Sequence, residues 1–252
     1  MAVAGAELSV SAPCVAVAPA AEPKATPSAG LSVGVLDLQG DVREHVRALE
    51  ELGVAVRRVK RPADLDSVVG LVLPGGESTT LSLLLASTQL DAAVGDRLAQ
   101  GSLAVLGTCA GLVLLAQEVL DGRADQRTFG VLNAVVRRNG YGRQNQSFET
   151  ELSLVADTGS ALPAIFIRAP LIVSVGAEVE VLAELDEVPV LVRQGAVLAA
   201  AFHPELTPDH RVHRMFVDTC LTVSAQSSPD PTRSGFAPVR FKSAGSVCAA
   251  TS

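Results

Sequence analysis

Aromatic residues are scarce in this chain of 252 residues, which has no Trp, one Tyr and seven Phe. Nevertheless, 48% of the residues are hydrophobic and the mean hydropathy is +0.35. Such a chain can bury a sizeable core, so disorder over its whole length is excluded. With so few aromatic rings, that core must consist mainly of aliphatic side chains.

Basic residues and long hydrophobic runs are also few. The chain has 20 Lys and Arg against 27 Asp and Glu, a net charge of −7, whereas nucleic-acid-binding domains are usually basic. The longest uncharged stretch, 98–117, contains three Gly and two Gln, too polar for the roughly 20 apolar residues of a membrane-spanning helix. The first basic residue is Lys24, so the positive start of a signal peptide is missing. We expect a cytoplasmic protein with no nucleic-acid or membrane partner.

The four cysteines, at positions 14, 109, 220 and 248, form no C-x-x-C pair. No His lies at zinc-finger spacing from them, so neither a disulfide scaffold nor a structural zinc site is expected. We expect no metal and no cofactor. Cys220 is interpreted as a small buried hydrophobic side chain.

Composition divides the chain into three segments. Residues 1–30 are rich in Ala, Pro, Ser and Val, and residues 224–252 in Ser, Pro, Ala and Gly. Such composition is typical of flexible extensions. The segment between them, 31–223, has the size of one domain and carries most of the acidic charge.

Strand and helix patterns alternate through the first half of that domain. Apolar runs predict buried strands at 31–38, 54–59, 71–73 and 103–106. Helical patterns follow at 41–52, 78–86 and 110–119, the first with Asp41 and Glu44 at capping-box spacing. This alternation predicts an α/β three-layer sandwich with a central, mostly parallel sheet. Several short strands, some of them antiparallel, are predicted over 129–201, and a last helix over 208–222.

A nucleophile motif follows the fourth predicted strand. Gly107-Thr108-Cys109-Ala110-Gly111 has the G-x-nucleophile-x-G spacing of a turn from a strand into a helix. The flanking glycines give the strained turn the space that it needs, and the start of a helix stabilises a thiolate. The pattern alone leaves a glutamine hydrolase, an α/β-hydrolase and a cysteine peptidase open.

Four histidines could supply the base that a thiolate nucleophile requires. His203 ends a predicted strand, and Glu205 follows two residues later. In extended chain the two side chains project to the same side, so the carboxylate can orient the imidazole. His45 is expected to be a half-buried helical residue. His210 and His213 are expected to line the last helix, and the sequence suggests no further ligands for a metal between them.

A glycine-rich turn, Pro74-Gly75-Gly76-Glu77-Ser78, precedes the second helix. Its backbone N–H groups could stabilise an oxyanion. The turn lacks the lysine of a phosphate-binding loop, and the chain has no G-x-G-x-x-G motif.

Further stretches extend this pattern over roughly 31–222. They are Leu38-Gln39-Gly40, Val42-Arg43-Glu44-His45, Gly76-Glu77-Ser78-Thr79-Thr80, Arg138-Asn139, Tyr141-Gly142-Arg143-Gln144, Ile167-Arg168-Ala169-Pro170 and Phe202-His203-Pro204-Glu205. With them the chain resembles the class I (triad) glutamine amidotransferases, and within these the family of glutaminase subunits of pyridoxal 5′-phosphate synthases. The resemblance implies their flavodoxin-like fold.

The resemblance also implies a role for each residue of a catalytic triad. Cys109 would attack the side-chain amide of L-glutamine, and His203 would act as base and then protonate the leaving ammonia. Glu205 would orient His203. The N–H groups of Ala110 and of the turn at Gly75 and Gly76 would form an oxyanion hole. The positions that match glutamine-binding residues are Gly75, Gly76, Glu77, Ser78, Ala110, Arg138, Ile167 and Arg168.

A partner is implied as well, namely a (β/α)₈-barrel synthase subunit that receives the ammonia. Pyridoxal phosphate would then be a product of the complex and not a cofactor of this chain. Gln39 is expected to sense the docked partner. Asp37 and Asp41 stand where small or apolar residues are expected, and we expect them to alter docking without touching the triad. A stand-alone γ-glutamyl or peptide hydrolase and a non-catalytic scaffold subunit are the alternatives.

Overall fold

The structure is a computed structural model that describes residues 30–123, 125–140, 147–155, 157–226 and 242–243. The predicted extensions therefore lie outside the described residues, apart from residue 30 and residues 224–226 and 242–243. Among the described helices, none is long and apolar enough to cross a membrane.

The helices and strands follow one another in the alternation that the sequence predicts. In the described ranges the helices are α1 (Val42–Glu51), α2 (Ser78–Ser87), α3 (Leu90–Ala99), α4 (Ala110–Leu115) and α5 (Arg211–Gln226). The strands are β1 (Ser32–Leu36), β2 (Ala55–Val59), β3 (Gly70–Leu73), β4 (Ala104–Thr108), β5 (Ala116–Val119), β6 (Arg127–Thr128), β7 (Leu132–Arg137), β8 (Phe148–Leu154), β9 (Asp157–Phe166), β10 (Leu171–Val175), β11 (Glu180–Leu185), β12 (Val188–Gln194), β13 (Val197–Ala200) and β14 (Lys242–Ser243).

A nine-stranded sheet has the order β2-β1-β3-β4-β13-β12-β11-β8-β9. The first five of these strands run parallel to one another, and the other four continue the sheet in antiparallel pairs. A smaller sheet has the order β10-β7-β5, and β14 pairs with β6. The predicted α/β fold with a central sheet is confirmed. Its parallel strands all end at one edge, where α/β proteins bind ligands.

The core is aliphatic, as the scarcity of aromatic residues requires. Every residue of β3, β4 and β13 is buried, which is typical of parallel strands covered on both faces. Leu, Val and Ala dominate the buried set, and Cys220 is buried among them as predicted.

Three local predictions are wrong. Asp41 precedes α1 but its side chain makes no capping hydrogen bond, because a partner elsewhere in the fold holds its carboxylate. The fourth helix ends at Leu115 instead of 119, since the chain turns into β5 and joins the small sheet. The last helix spans Arg211–Gln226 instead of 208–222.

Candidate active site

The carboxyl ends of the parallel strands surround a cavity of about 350 Å³. Cys109 follows β4 directly, the glycine-rich turn follows β3, and His203 lies just beyond β13. Most of the residues predicted for the site line this cavity, namely Gly76, Glu77, Ser78, Cys109, Ala110, Arg138, Ile167, Arg168 and His203. Five further residues complete the lining: Gln39, Asp41, Val113, Asn139 and Pro170. Gly75 and Glu205 are not among the residues that line it. The motif at 141–144 lies outside the described residues.

Cys109 occupies a strained turn between β4 and α4. Its backbone has φ 48° and ψ −100°, a region that residues other than glycine rarely adopt. Close packing explains the flanking glycines, because a Cβ atom on Gly111 would overlap the carbonyl oxygen of Leu73. The turn directs the thiol into the cavity, where Sγ lies 3.9 Å from the carbonyl oxygen of Ile167.

His203 and Glu205 form a short hydrogen bond within the protein. Nδ1 of His203 lies 2.7 Å from Oε1 of Glu205, and both side chains are almost completely buried. A hydrogen bond at Nδ1 leaves Nε2 of the imidazole for Cys109, the arrangement of a catalytic triad.

A second carboxylate, that of Asp41, reaches the same imidazole. Its Oδ2 lies 3.5 Å from Nδ1 of His203, so the expectation that Asp41 does not touch the triad is wrong. Contact with His203 lowers the pKa of Asp41. Asp37 differs, since its carboxylate lies near Arg58 and Lys60 at 3.6 and 3.3 Å.

The surroundings favour a protonated His203. Burial by itself would lower the pKa of His203, but hydrogen bonds to Asp41, Cys109 and Glu205 outweigh it and raise this pKa well above its usual range. Burial also raises the pKa of Glu205, and its bond to His203 offsets this only in part. The site is therefore built to keep a proton on the imidazole between the thiol and the carboxylate.

The other histidines do not lie where the sequence places them. His45 is fully buried instead of half-buried, with Nδ1 3.0 Å from Nε2 of His213 and Nε2 3.2 Å from Oγ1 of Thr108. His213 is also fully buried. His210, just before α5, pairs with Glu51 at 2.6 Å, and its ring lies edge-on to that of His213 with the centroids 6.2 Å apart.

Ligand atoms of Asp41, His203 and Glu205 lie within 4.8 Å of one another, a spacing that a metal ion could bridge. The bond between His203 and Glu205 already uses Nδ1 of the imidazole. A metal on that nitrogen would break the triad, so the geometry favours acid–base chemistry.

The start of α2 carries the glycine-rich turn and a network around it. Oε2 of Glu77 accepts the N–H of Thr80 at 2.6 Å, and Nη2 of Arg138 donates to Oε1 of Glu77 at 2.7 Å. Burial by itself would raise the pKa of Glu77, but the N–H groups of this helix start and Arg138 outweigh it and lower that pKa. Arg138 also donates to Thr79. The arginine, which lines the cavity, is thus bonded to the start of α2 at two residues.

Gln126, which no sequence pattern marks as a site residue, holds the start of α2 in place. Its side chain is fully buried, and Oε1 accepts hydrogen bonds from the hydroxyls of Ser78 and Thr79 at 3.2 and 3.0 Å. Nε2 donates to the carbonyl of Ser78 at 3.3 Å. A glutamine in a polar stretch before a short strand has no pattern that marks it as buried.

This fold, with a Cys-His-Glu arrangement at the strand ends, defines a class I glutamine amidotransferase. A family model described as the SNO glutamine amidotransferase family matches residues 35–222. The chain belongs to that family.

Relatives and solved structures agree with this assignment. The chain is 54% identical over 186 residues to "Pyridoxal 5′-phosphate synthase subunit PdxT" of Parafrankia sp., covering 74% of this chain and 91% of the relative. It is 50% identical over 198 residues to the protein of that name from Streptomyces avermitilis, covering 79% and 96%. A solved structure described as glutamine amidotransferase is 47% identical, with a TM-score of 0.70 over 75% of this chain and 98% of the other. PurLQS from Thermotoga maritima, 16% identical with a TM-score of 0.51 over 78% of this chain and 98% of the other, shares the fold alone.

Proposed function

We propose that this chain is the glutaminase subunit of a pyridoxal 5′-phosphate synthase. It hydrolyses L-glutamine to glutamate and ammonia and delivers the ammonia to a (β/α)₈-barrel synthase subunit. The observation that carries the proposal is the contact of His203 with both Glu205 and Cys109 at the wall of one cavity. The relatives that share half of the sequence bear the name of that synthase subunit.

The chemistry begins with a thiolate. Cys109 gives its proton to His203, and Sγ attacks the side-chain carbonyl carbon of glutamine to form a tetrahedral oxyanion. The N–H groups of Ala110 and of the turn at Gly75 and Gly76 stabilise this oxyanion. The carbon–nitrogen bond then breaks, and His203 protonates the nitrogen, so that ammonia leaves and a γ-glutamyl thioester remains.

Water completes the cycle. His203 removes a proton from a water molecule, whose oxygen attacks the thioester carbonyl, and glutamate leaves as Cys109 regains its proton. Glu205 keeps the imidazole oriented through both halves. In this proposal Gly76, Glu77, Ser78 and Ile167 line the glutamine pocket. Arg138 or Arg168 binds the α-carboxylate of glutamine, since guanidinium groups suit planar carboxylates.

The test is glutamate release from glutamine by the full chain, alone and with the synthase subunit of the same organism. We expect a low rate alone and a clear rise with the partner. Cys109→Ala should abolish release, whereas Cys220→Ala, which changes a buried cysteine that does not line the cavity, should retain it. Release by Cys109→Ala would contradict the proposal.

The alternatives give different outcomes in the same assay. Faster turnover of γ-glutamyl peptides than of glutamine, without the partner, would indicate a stand-alone hydrolase. A complex that forms but never releases glutamate, with Cys109 inert to a glutamine-like electrophile, would indicate a scaffold subunit.

A further inference from the structure

Two buried imidazoles lie directly behind the triad. His45 on α1 and His213 on α5 are each fully buried, and their ring centroids are 5.2 Å apart. Neither is among the residues that line the cavity, and the reaction steps above use neither. Burial of a pair of polar rings in an apolar core costs free energy unless the rings are hydrogen-bonded. We therefore expect their contacts to reveal a function.

Glu205 has one carboxylate oxygen that the triad does not use. Oε1 binds His203, whereas Oε2 is buried and makes no hydrogen bond to any residue that the structure describes. Nε2 of His45 lies 3.4 Å from this oxygen. Because burial disfavours a charged carboxylate, a donor facing Oε2 would help to keep Glu205 ionised.

Both histidines are neutral, so each carries a single N–H. Burial lowers the pKa of His45 well below its usual value, and the neighbouring His213 and His203 lower it further. Burial lowers the pKa of His213 to about 3. The question is therefore which ring nitrogen of His45 holds the hydrogen.

The contacts favour one of the two arrangements. If Nδ1–H of His45 donated to His213, a bare Nε2 would face the Glu205 carboxylate, and Nδ1–H of His213 would be a buried donor without a partner. If instead Nε2–H of His213 donates to Nδ1 of His45, the hydrogen on Nε2 of His45 faces Oε2 of Glu205 and Oγ1 of Thr108. Only a lone pair of His213 then stays unpaired, which costs less than an unpaired donor or two opposed acceptors.

We propose that His45 is a positioning residue for the glutaminase reaction. Its Nε2–H, which bonds Oγ1 of Thr108, also lies beside Oε2 of Glu205, stabilises the charge of that carboxylate and so keeps its other oxygen on His203. His213 sets the tautomer of His45 from behind. The inference rests on the proposed function for its kinetic consequence, but the direction of the hydrogen can be tested without any activity. The titratable groups that face Glu205 are His203 beyond β13, Asp41 before α1 and His45 within it, with His213 behind them.

The first test is nitrogen NMR on the full chain with labelled histidine. We expect His45 to show a protonated Nε2 and a bare Nδ1 at neutral pH, with its signals assigned by their loss in His45→Gln. A hydrogen on Nδ1, or a doubly protonated ring, would overturn the inference. This outcome does not depend on whether the chain releases glutamate, so a failure here is distinct from a failure of the proposed function.

The second test compares two substitutions in the complex with the synthase subunit. Gln carries an amide nitrogen near the place of Nε2, so His45→Gln can still present an N–H to Thr108 and Glu205, whereas His45→Leu cannot. We expect His45→Leu to lower kcat about tenfold with KM nearly unchanged, and to move the acidic limb of the kcat profile to higher pH, because Glu205 loses a donor to its charged form. His45→Gln should recover most of both changes.

His210→Gln is the matched control, since His210 lies just before α5 and next to His213 but pairs with Glu51 outside the triad. It should leave kcat and the pH profile unchanged. Melting temperatures of all three variants separate loss of stability from loss of rate. Equal kcat in His45→Gln and His45→Leu, or a wild-type acidic limb in His45→Leu, would count against the role of His45 as a donor.

Discussion

Asp41 and His203 are in contact across the mouth of the site, with Oδ2 of the aspartate 3.5 Å from Nδ1 of the imidazole. Glu205 reaches the same nitrogen at 2.7 Å from the buried side. One nitrogen of the imidazole thus contacts both a buried carboxylate and a partly exposed one. Both favour its charged form, and this is why its pKa is raised in spite of its burial.

Removal of the Asp41 charge should therefore shift the pH dependence. In Asp41→Asn the pKa of His203 falls, since one of the groups that stabilise the imidazolium is gone. The protonated imidazole is then lost at a lower pH, so the basic limb of kcat/KM moves down the pH scale. The stability that the charged His203 gives the fold is lost when the imidazole loses its proton, and in Asp41→Asn this happens at a lower pH than in the wild type. Glutamate release by the complex across a pH series measures the limb.

Asp37→Asn is the control for that experiment. Asp37 lies in the same loop but faces Arg58 and Lys60, so its removal should leave the basic limb in place. Equal shifts in the two variants would show that the net charge of the loop matters and the contact with His203 does not.

The two described cysteines should differ in reactivity. Burial raises the pKa of Cys220 to about 12, so its thiol stays protonated near neutral pH, whereas Cys109 lines the cavity beside His203. A glutamine-like chloroketone should modify Cys109, and excess glutamine should slow that reaction. Peptide mapping by mass spectrometry identifies the modified residue. Modification of Cys220 at a similar rate, or no protection by glutamine, would contradict the expectation.

Substitutions of Gly75 and Gly34 should distinguish an effect on the active site from an effect on the hydrophobic core. A Cβ atom on Gly75 would overlap the His203 ring, which Glu205 holds in place. Gly75→Ala should lower kcat by about 100-fold, because small misplacements of a catalytic group are costly, with little change in the free energy of unfolding. A Cβ atom on Gly34 would lie 2.8 Å from Cγ2 of Val59 in the core.

Gly34→Ala should therefore lower the free energy of unfolding by about 1–3 kcal/mol while each folded molecule keeps its kcat. Urea unfolding and single-turnover glutamate release distinguish the two effects. A stable, fully active Gly75→Ala variant would mean that the imidazole is free to move.

The features that could be predicted from the sequence are those that depend on residues close to one another along the chain. The strained turn at Cys109 is marked by its own glycines, and Glu205 follows His203 closely enough for both to share one side of the chain. Alternating strand and helix patterns then place both segments at the same edge of the sheet. The α/β fold could be predicted on this basis.

The rest of the site depends on contacts between distant segments. Asp41 and Glu44 match the local capping pattern, yet the side chain of Asp41 turns to His203, some 160 residues further along, and tertiary structure overrides the local motif. His45 and His213 look like ordinary helical histidines until α1 and α5 pack against the sheet. Gln126 is buried only because α2 begins above it.

Gln126→Leu should test how firmly the start of α2 is held. The change removes the acceptor for the Ser78 and Thr79 hydroxyls and leaves them buried without it, at a cost of about 1–3 kcal/mol in the free energy of unfolding. Because Ser78 lines the cavity, KM for glutamine should rise as well. Ser82→Ala, which removes a buried hydroxyl one turn further along the same helix, should affect stability but not KM.

Arg138 is one of the two arginines proposed to bind the α-carboxylate of glutamine, and its guanidinium also donates to Glu77 and Thr79. Arg138→Met should raise KM roughly tenfold, as for the loss of a hydrogen bond between charged groups, and should change kcat less, because the α-carboxylate is remote from the scissile amide. Arg193→Met is the control, since Arg193 makes a comparable ion pair with Glu180 at 2.6 Å on the surface, where such pairs contribute little. Steady-state kinetics of the complex should show an unchanged KM there. If Arg138→Met instead lowered kcat at constant KM, Arg138 would act by holding Glu77 and the glycine-rich turn rather than by binding the substrate.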